Sequence, residues 1–98
     1  MNHKRVDANQ AEIVKALRAA GMSVRSTAAI GKGFPDLAVG CHGKNLFLEI
    51  KNGALPPYER ELTKDEVAFI ESWRGQVMVV YSAQDAMEQI ERAVFQVG

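Results

Sequence analysis

Gly33-Phe34-Pro35-Asp36-Leu37-Ala38-Val39-Gly40 and, after a short gap, Leu46-Phe47-Leu48-Glu49-Ile50-Lys51 decide how this chain reads. Each contains an apolar run of strand length bounded by Gly, Pro or Asn. Successive side chains of a strand point to opposite faces. Leu46, Leu48 and Ile50 therefore share one face, and Phe47, Glu49 and Lys51 share the other. The apolar face can enter a core, which leaves Glu49 and Lys51 adjacent at the end of the strand. If the run from Asp36 to Gly40 is the neighbouring strand of a hairpin, Asp36 lies near the last residues of the second run. Two carboxylates and an ammonium then converge at one edge of a sheet.

That combination suits a divalent cation held against a phosphodiester. Mg²⁺ prefers oxygen ligands, keeps several waters, and takes one or two protein carboxylates plus substrate phosphates. A bound divalent ion polarises a phosphoryl oxygen and lowers the pKa of coordinated water. An ammonium nearby can orient that water or stabilise developing charge. Asp36 and Glu49 are the expected ligands and Lys51 the positioned cation. The bland alternatives are a turn aspartate after Pro35 and an exposed Glu49–Lys51 pair. Against the second stands the position of Glu49 among Leu, Phe and Ile, where an unpaired carboxylate is costly.

Working outward, Asn9 opens a helical pattern with Ile13, Val14 and Leu17 apolar and Gly21 at its stop. Met22 to Ser26 reads as a half-alternating strand running on towards Ala28 or Ile30, and Gly31-Lys32-Gly33 as a connection. After the two site-bearing strands, Asn52-Gly53 is a stop and Ala54 to Glu61, with Pro56-Pro57, a loop. Thr63 starts a helix with Val67, Ile70 and Trp73 at helical spacing, ending at Gly75. Gln76 to Tyr81 is an apolar strand, its Val77-Met78-Val79-Val80 run predicting burial on both faces. Ser82 caps a last helix carrying Ala86, Ile90 and Val94. The expected fold is α/β with element order αβββαβα, a mixed sheet flanked by helices. No repeat or linker interrupts it, so residues 1–98 are expected to form a single domain.

Pro35-Asp36 followed by Glu49-Ile50-Lys51 resembles the signature of the PD-(D/E)xK nucleases. More narrowly, the chain resembles a stand-alone virus-type replication-repair nuclease (VRR-NUC) domain. Glu12 in the first helix, the Gly33-Phe34-Pro35-Asp36 opening, Leu62-Thr63 at a helix start, and a final strand and helix carry that narrower resemblance over nearly the whole chain. It implies a restriction-endonuclease-like core and a Mg²⁺- or Mn²⁺-dependent DNA endonuclease. It also implies action on branched DNA such as Holliday junctions, by a two-fold homodimer. Metal ligands would be Glu12, Asp36, Glu49 and the Ile50 backbone carbonyl. The implied setting is the cytoplasm of a phage-infected or prokaryotic cell. Similar nucleases usually carry Gln where this chain has Glu66, so Glu66 is an accessory candidate and a departure. A non-catalytic DNA-junction-binding module of the same fold is the alternative reading.

Two of these acidic residues have structural explanations of their own. Asn9-Gln10-Ala11-Glu12 fits a variant capping box, and Thr63-Lys64-Asp65-Glu66 fits the box closely. Composition adds bounds. Ninety-eight residues with 47% hydrophobic content allow one modest core, and no apolar span is long enough to cross a membrane as a helix. Met1 to Arg5 lacks the apolar stretch a signal peptide needs after its charges. One cysteine, Cys41, cannot form an internal disulfide and reads as a small buried apolar residue in a reducing compartment. Twelve basic residues balance twelve acidic ones, which weighs against nucleic-acid binding in general. It leaves room for a local patch from Lys4, Arg5, Arg25, Lys32, Lys44 and Arg60. Arg25 and Lys32 are the DNA-contact candidates; Trp73 and Tyr81 are expected to pack in the core.

Overall fold

The two site-bearing runs pair antiparallel and organise the sheet. In the structure, a computed structural model that describes residues 9–95, they are β2 (Leu37–Cys41) and β3 (Lys44–Ile50). A two-residue turn joins them, with His42 at φ 51° and Gly43 at φ 78°. Turns with both central residues at positive φ match the twist of paired strands. β1 (Ser23–Ser26) pairs antiparallel with β2, and β4 (Val77–Val80) pairs parallel with β3, giving a mixed sheet of order β1-β2-β3-β4. A parallel pair needs a crossover. Here the crossover contains α2 (Lys64–Ser72). With α1 (Gln10–Ala19) ahead of β1 and α3 (Ala83–Phe95) after β4, the chain shows the αβββαβα order of an α/β protein.

The two faces of the sheet are covered unequally. Ile13 and Leu17 of α1, with Ala86, Ile90 and Val94 of α3, join Val24, Leu37, Val39, Leu46, Leu48, Ile50 and Val80 in one buried core. On the other face α2 buries none of its residues. It is held by an aromatic quartet, Phe34, Phe47, Phe69 and Trp73, with ring centroids between 4.9 and 6.3 Å apart. Phe69 and Trp73 stack at 17°, and the other rings meet edge to face, the geometries aromatic quadrupoles favour.

Several details depart from the sequence reading. β1 stops at Ser26; the Thr27 N–H still bonds across to the Asp36 carbonyl, but the Thr27 carbonyl accepts the Ile30 N–H at 3.1 Å, and Ala28–Ile30 forms a 3-10 turn. β4 is an edge strand in which only Val80 is buried, so its apolar run is not covered on both sides. Trp73 and Tyr81 keep 41% and 36% of their surface exposed and lie outside the buried core. Pro57–Glu59 is a 3-10 turn within the expected loop. Cys41 is half-buried against the core. Met1 to Arg5, with the Lys4 and Arg5 of the basic patch, lies outside the described residues. Among those described, no helix is long and apolar enough to cross a membrane.

Candidate metal centre

The register places Leu37 opposite Leu48, so the residue before β2, Asp36, comes level with Glu49 near the end of β3. Asp36 is fixed from both sides. Its N–H donates to the Leu48 carbonyl at 2.9 Å, and its own carbonyl accepts from Thr27 N at 2.9 Å. Its Oδ2 accepts the Ile50 N–H at 2.7 Å, standing in for a backbone carbonyl where β2 has not yet begun. A residue in a strand projects N–H and C=O to the same side, so the Ile50 carbonyl also faces the Asp36 side. Asp36 and Glu49 are buried, 7% and 3% exposed. Lys51, one position past β3, extends the face that carries Glu49.

The electrostatics follow from that crowding. Burial, and then the negative charges of Asp36 and Glu66, push the Glu49 carboxyl up to about 9. At neutral pH, without a cation, Glu49 therefore holds a proton. Lys51 Nζ lies 2.8 Å from Glu66 Oε1 and 4.0 Å from Glu49 Oε2. Burial by itself lowers the Lys51 ammonium, but the hydrogen bond and charge of Glu66, with Glu49 and Asp36 behind it, hold it above its ordinary value. Burial also raises Glu66. The Lys51 hydrogen bond and the Thr63 N–H outweigh it, and the Glu66 carboxyl sits below the usual range.

Glu66 caps α2 and also touches Lys51. Thr63 Oγ1 accepts the Glu66 N–H at 3.1 Å, and Glu66 Oε1 accepts the Thr63 N–H at 2.9 Å, closing the capping box. The same Oε1 holds Lys51. Glu12 is different. It is exposed on the first turn of α1, and no hydrogen bond or ion pair ties its carboxylate to another described residue. It lines a cleft with Asn52, Gly53, Arg60 and Tyr81, just past Lys51. The expected box at this helix does not form. The Asn9 backbone, at φ −90° and ψ 2°, does not cap, and its amide donates instead to the Lys51 and Tyr81 carbonyls at 3.3 and 3.1 Å.

Arg25 and Lys32 are not brought to the carboxylates. Arg25 lies opposite Ala38, which pairs with Phe47, two rows from Glu49 on the same face. Lys32 is exposed at φ 55° in the Gly31–Gly33 turn. There Gly33, at φ 81°, presses so closely on the Asp65 backbone that an added Cβ would lie 2.4 Å from its carbonyl. That contact seats the turn on the start of α2 and explains why position 33 must be glycine.

Among the described residues no set of three or more His, Cys, Asp or Glu is arranged to hold a metal. Glu12 is apart, and the Glu66 oxygen is turned to Lys51 and Thr63. A ligand set built on Asp36, Glu49 and the Ile50 carbonyl still fits a magnesium-type ion, which needs only one or two carboxylates. The proton retained by Glu49 marks a place where positive charge is lacking. When bound, such an ion supplies Lewis-acid polarisation of a phosphoryl oxygen and a more acidic water. No protein-family model matches the chain, and no curated protein or solved structure matches it.

Proposed function

We propose that the chain is a metal-dependent DNA endonuclease of the VRR-NUC type, with a restriction-endonuclease-like core. One observation carries the reading: two carboxylates, Asp36 and Glu49, lie side by side and buried at a strand end, with the Lys51 ammonium on the same face. Asp36 and Glu49, with the Ile50 carbonyl, hold Mg²⁺ or Mn²⁺. Lys51 holds the attacking water or the charge that develops on the phosphate, and Glu66 positions Lys51. Branched DNA cut by a two-fold dimer is the substrate and assembly this reading adopts, because each subunit of a symmetric pair can address one of two opposed strands. The exposed apolar residues Val67 and Trp73 of the α2 segment, with Leu55 and Tyr58 of the loop before it, are its candidate contact surface. The cytoplasm of a prokaryotic or phage-infected cell is the setting.

Incubation with a panel of four-way junctions, flaps, single strands and linear duplexes, with Mg²⁺ or Mn²⁺, tests the activity, and light scattering tests the dimer. Metal-dependent nicking of junctions by a dimer is expected. A monomer that prefers flaps would remove the junction specificity and leave the nuclease; no cleavage of any DNA with either metal would remove the nuclease. The alternative, a DNA-binding module without turnover, is favoured by one observation, the commitment of Lys51 to Glu66 at 2.8 Å. It predicts binding to the same DNAs without strand cleavage.

A further inference from the structure

Among the described residues, Lys51 is the cation placed beside the carboxylates, and it is already engaged by Glu66. A nucleic-acid strand brings a phosphate at every nucleotide, so positive charge beyond Lys51 is needed to hold its register. Among the described residues, a candidate source lies at the same end of the sheet. Ile50 pairs with Val80, so Tyr81 comes level with Lys51. Two contacts lock these backbones together: Lys51 N–H donates to the Val80 carbonyl at 2.9 Å, and the Asn9 amide bridges the Lys51 and Tyr81 carbonyls. Gly53 N–H donates to the Tyr81 carbonyl at 3.0 Å, which ties the loop after β3 to the same point.

On this fixed ring lies Arg60, its guanidinium carbon 5.4 Å from the ring centroid. A guanidinium over an aromatic face is held by the ring quadrupole while its in-plane donors stay available. The Arg60 backbone N–H donates to the Pro57 carbonyl at 3.2 Å, but no hydrogen bond or ion pair joins its guanidinium to another described residue, although Glu59 and Glu61 flank it in the chain. Two clefts, of about 600 and 680 Å³, meet at this pair, both lined by Arg60 and Tyr81. The first continues along Asn52 and Gly53, the residues that follow Lys51. Glu12 and Glu61 also line these clefts and oppose an anion, which leaves Arg60 as the group of the described lining that attracts a phosphate.

We propose that Arg60, laid over Tyr81, is a phosphate-contact residue that sets the register of the nucleic-acid strand across the candidate metal centre. The inference rests on the nuclease reading and adds a binding subsite to it. The bound chemistry is a phosphate group, which a DNA backbone or free phosphate can supply, and the test separates the two.

Binding of a fluorescently labelled branched DNA is measured by anisotropy across a salt series. Arg60→Ala and Arg60→Gln should lower the slope of log affinity against log salt by about 0.7–0.9, the value of one phosphate contact. Near 0.15 M salt that is roughly a fivefold loss of affinity. Arg60→Lys keeps the charge and should restore the slope. Tyr81→Ala removes the ring that presets the guanidinium and should weaken binding without changing the slope. Arg92→Ala, exposed in the last turn of α3, is the control for a merely solvated charge. Competition with inorganic phosphate at millimolar concentration should leave the DNA bound. Unchanged slopes in both Arg60→Ala and Arg60→Gln overturn the subsite, as does displacement of DNA by inorganic phosphate. If those results came with metal-dependent cleavage intact, only the subsite would fall. If the wild-type protein bound no DNA, the nuclease reading would fall with it.

Discussion

The starts of α1 and α2 carry nearly the same local signal and use it differently. Asn9-Gln10-Ala11-Glu12 and Thr63-Lys64-Asp65-Glu66 each set an acidic residue three positions after a capping residue. At α2 the residue before the helix is extended, φ −73° and ψ 167°, the backbone an N-cap needs, and the box closes. At α1 the Asn9 backbone is turned, at ψ 2°, and its amide is taken by carbonyls 42 and 72 residues away in sequence. A capping signal is local, and it loses when a tertiary partner offers the side chain better bonds. The consequence reaches the site. The closed box aims Glu66 at Lys51, while nothing aims Glu12 at the carboxylates. The family resemblance, not the local pattern, favoured Glu12 over Glu66 for a functional role; the contacts bring Glu66, and not Glu12, to Lys51.

The largest expected effects test whether the centre lies where that comparison locates it. Asp36→Asn and Glu49→Gln should each leave a folded protein whose metal binding is weakened and whose cleavage falls by about a hundredfold or more. Isothermal titration with Mn²⁺ and single-turnover cleavage measure the two. Glu12→Gln, by contrast, should bind Mn²⁺ almost as the wild type does. Equal losses in Glu12→Gln and Glu49→Gln would mean that the first helix supplies a ligand after all. Lys51→Ala comes next. Metal affinity should survive, while the chemical step slows by roughly two orders of magnitude, the scale of losing one transition-state stabiliser. An unchanged single-turnover rate would leave Lys51 as the partner of Glu66 and nothing more.

A third prediction uses pH. The folded state raises the Glu49 carboxyl from 4.5 to about 9, so the folded protein binds the extra proton over that interval. Its contribution to stability is full below about 4.5 and is lost as pH rises towards 9. Denaturant melts of the metal-free protein should therefore show stability falling from Glu49 across that window. Glu49→Gln should flatten the dependence. Added Mg²⁺ should do so too, because an ion that replaces the proton removes the repulsion among the carboxylates. A wild-type profile unchanged by either would mean that Glu49 is ionised without a cation and that the crowding argument fails.

Much of this was legible in the sequence because it depends on short-range periodicity. Alternation along Leu46 to Lys51 fixed the faces of β3, and reading the two runs as a hairpin, as the register bears out, put Asp36 near Glu49. The element order followed from turn residues and apolar spacing. What escaped depends on contacts between distant segments. Nothing local marks Asn9 as the clamp between β3 and β4, or Arg60 as the residue that lies on Tyr81. Helix spacing put Trp73 in a core, but α2 covers the sheet only through aromatic rings, so that face stays half open. The Val77 to Val80 run looks doubly buried because periodicity cannot tell an edge strand from a central one.

The smallest effects concern the caps themselves, and they test the opening comparison most directly. Thr63→Ala should cost about 1 kcal/mol, the usual loss when a working N-cap is removed. Glu66→Ala should cost a similar amount, because it opens the same box and also leaves the half-buried Lys51 ammonium without its nearest partner. Glu66→Gln can rebuild the box and should recover most of that stability. At α1 the expectation is different in kind. Asn9→Ala should cost about 1 kcal/mol by releasing two strand-end carbonyls, not by uncapping the helix. A double-mutant cycle distinguishes those causes. Glu12→Ala, exposed and without a partner among the described residues, should change stability by no more than about 0.5 kcal/mol in the wild type and in Asn9→Ala alike. Thr63→Ala and Glu66→Ala should instead be strongly non-additive, since each single change already opens the one box. If Asn9 and Glu12 coupled as strongly as Thr63 and Glu66, the first helix would have a working capping box and the contrast between the two starts would disappear.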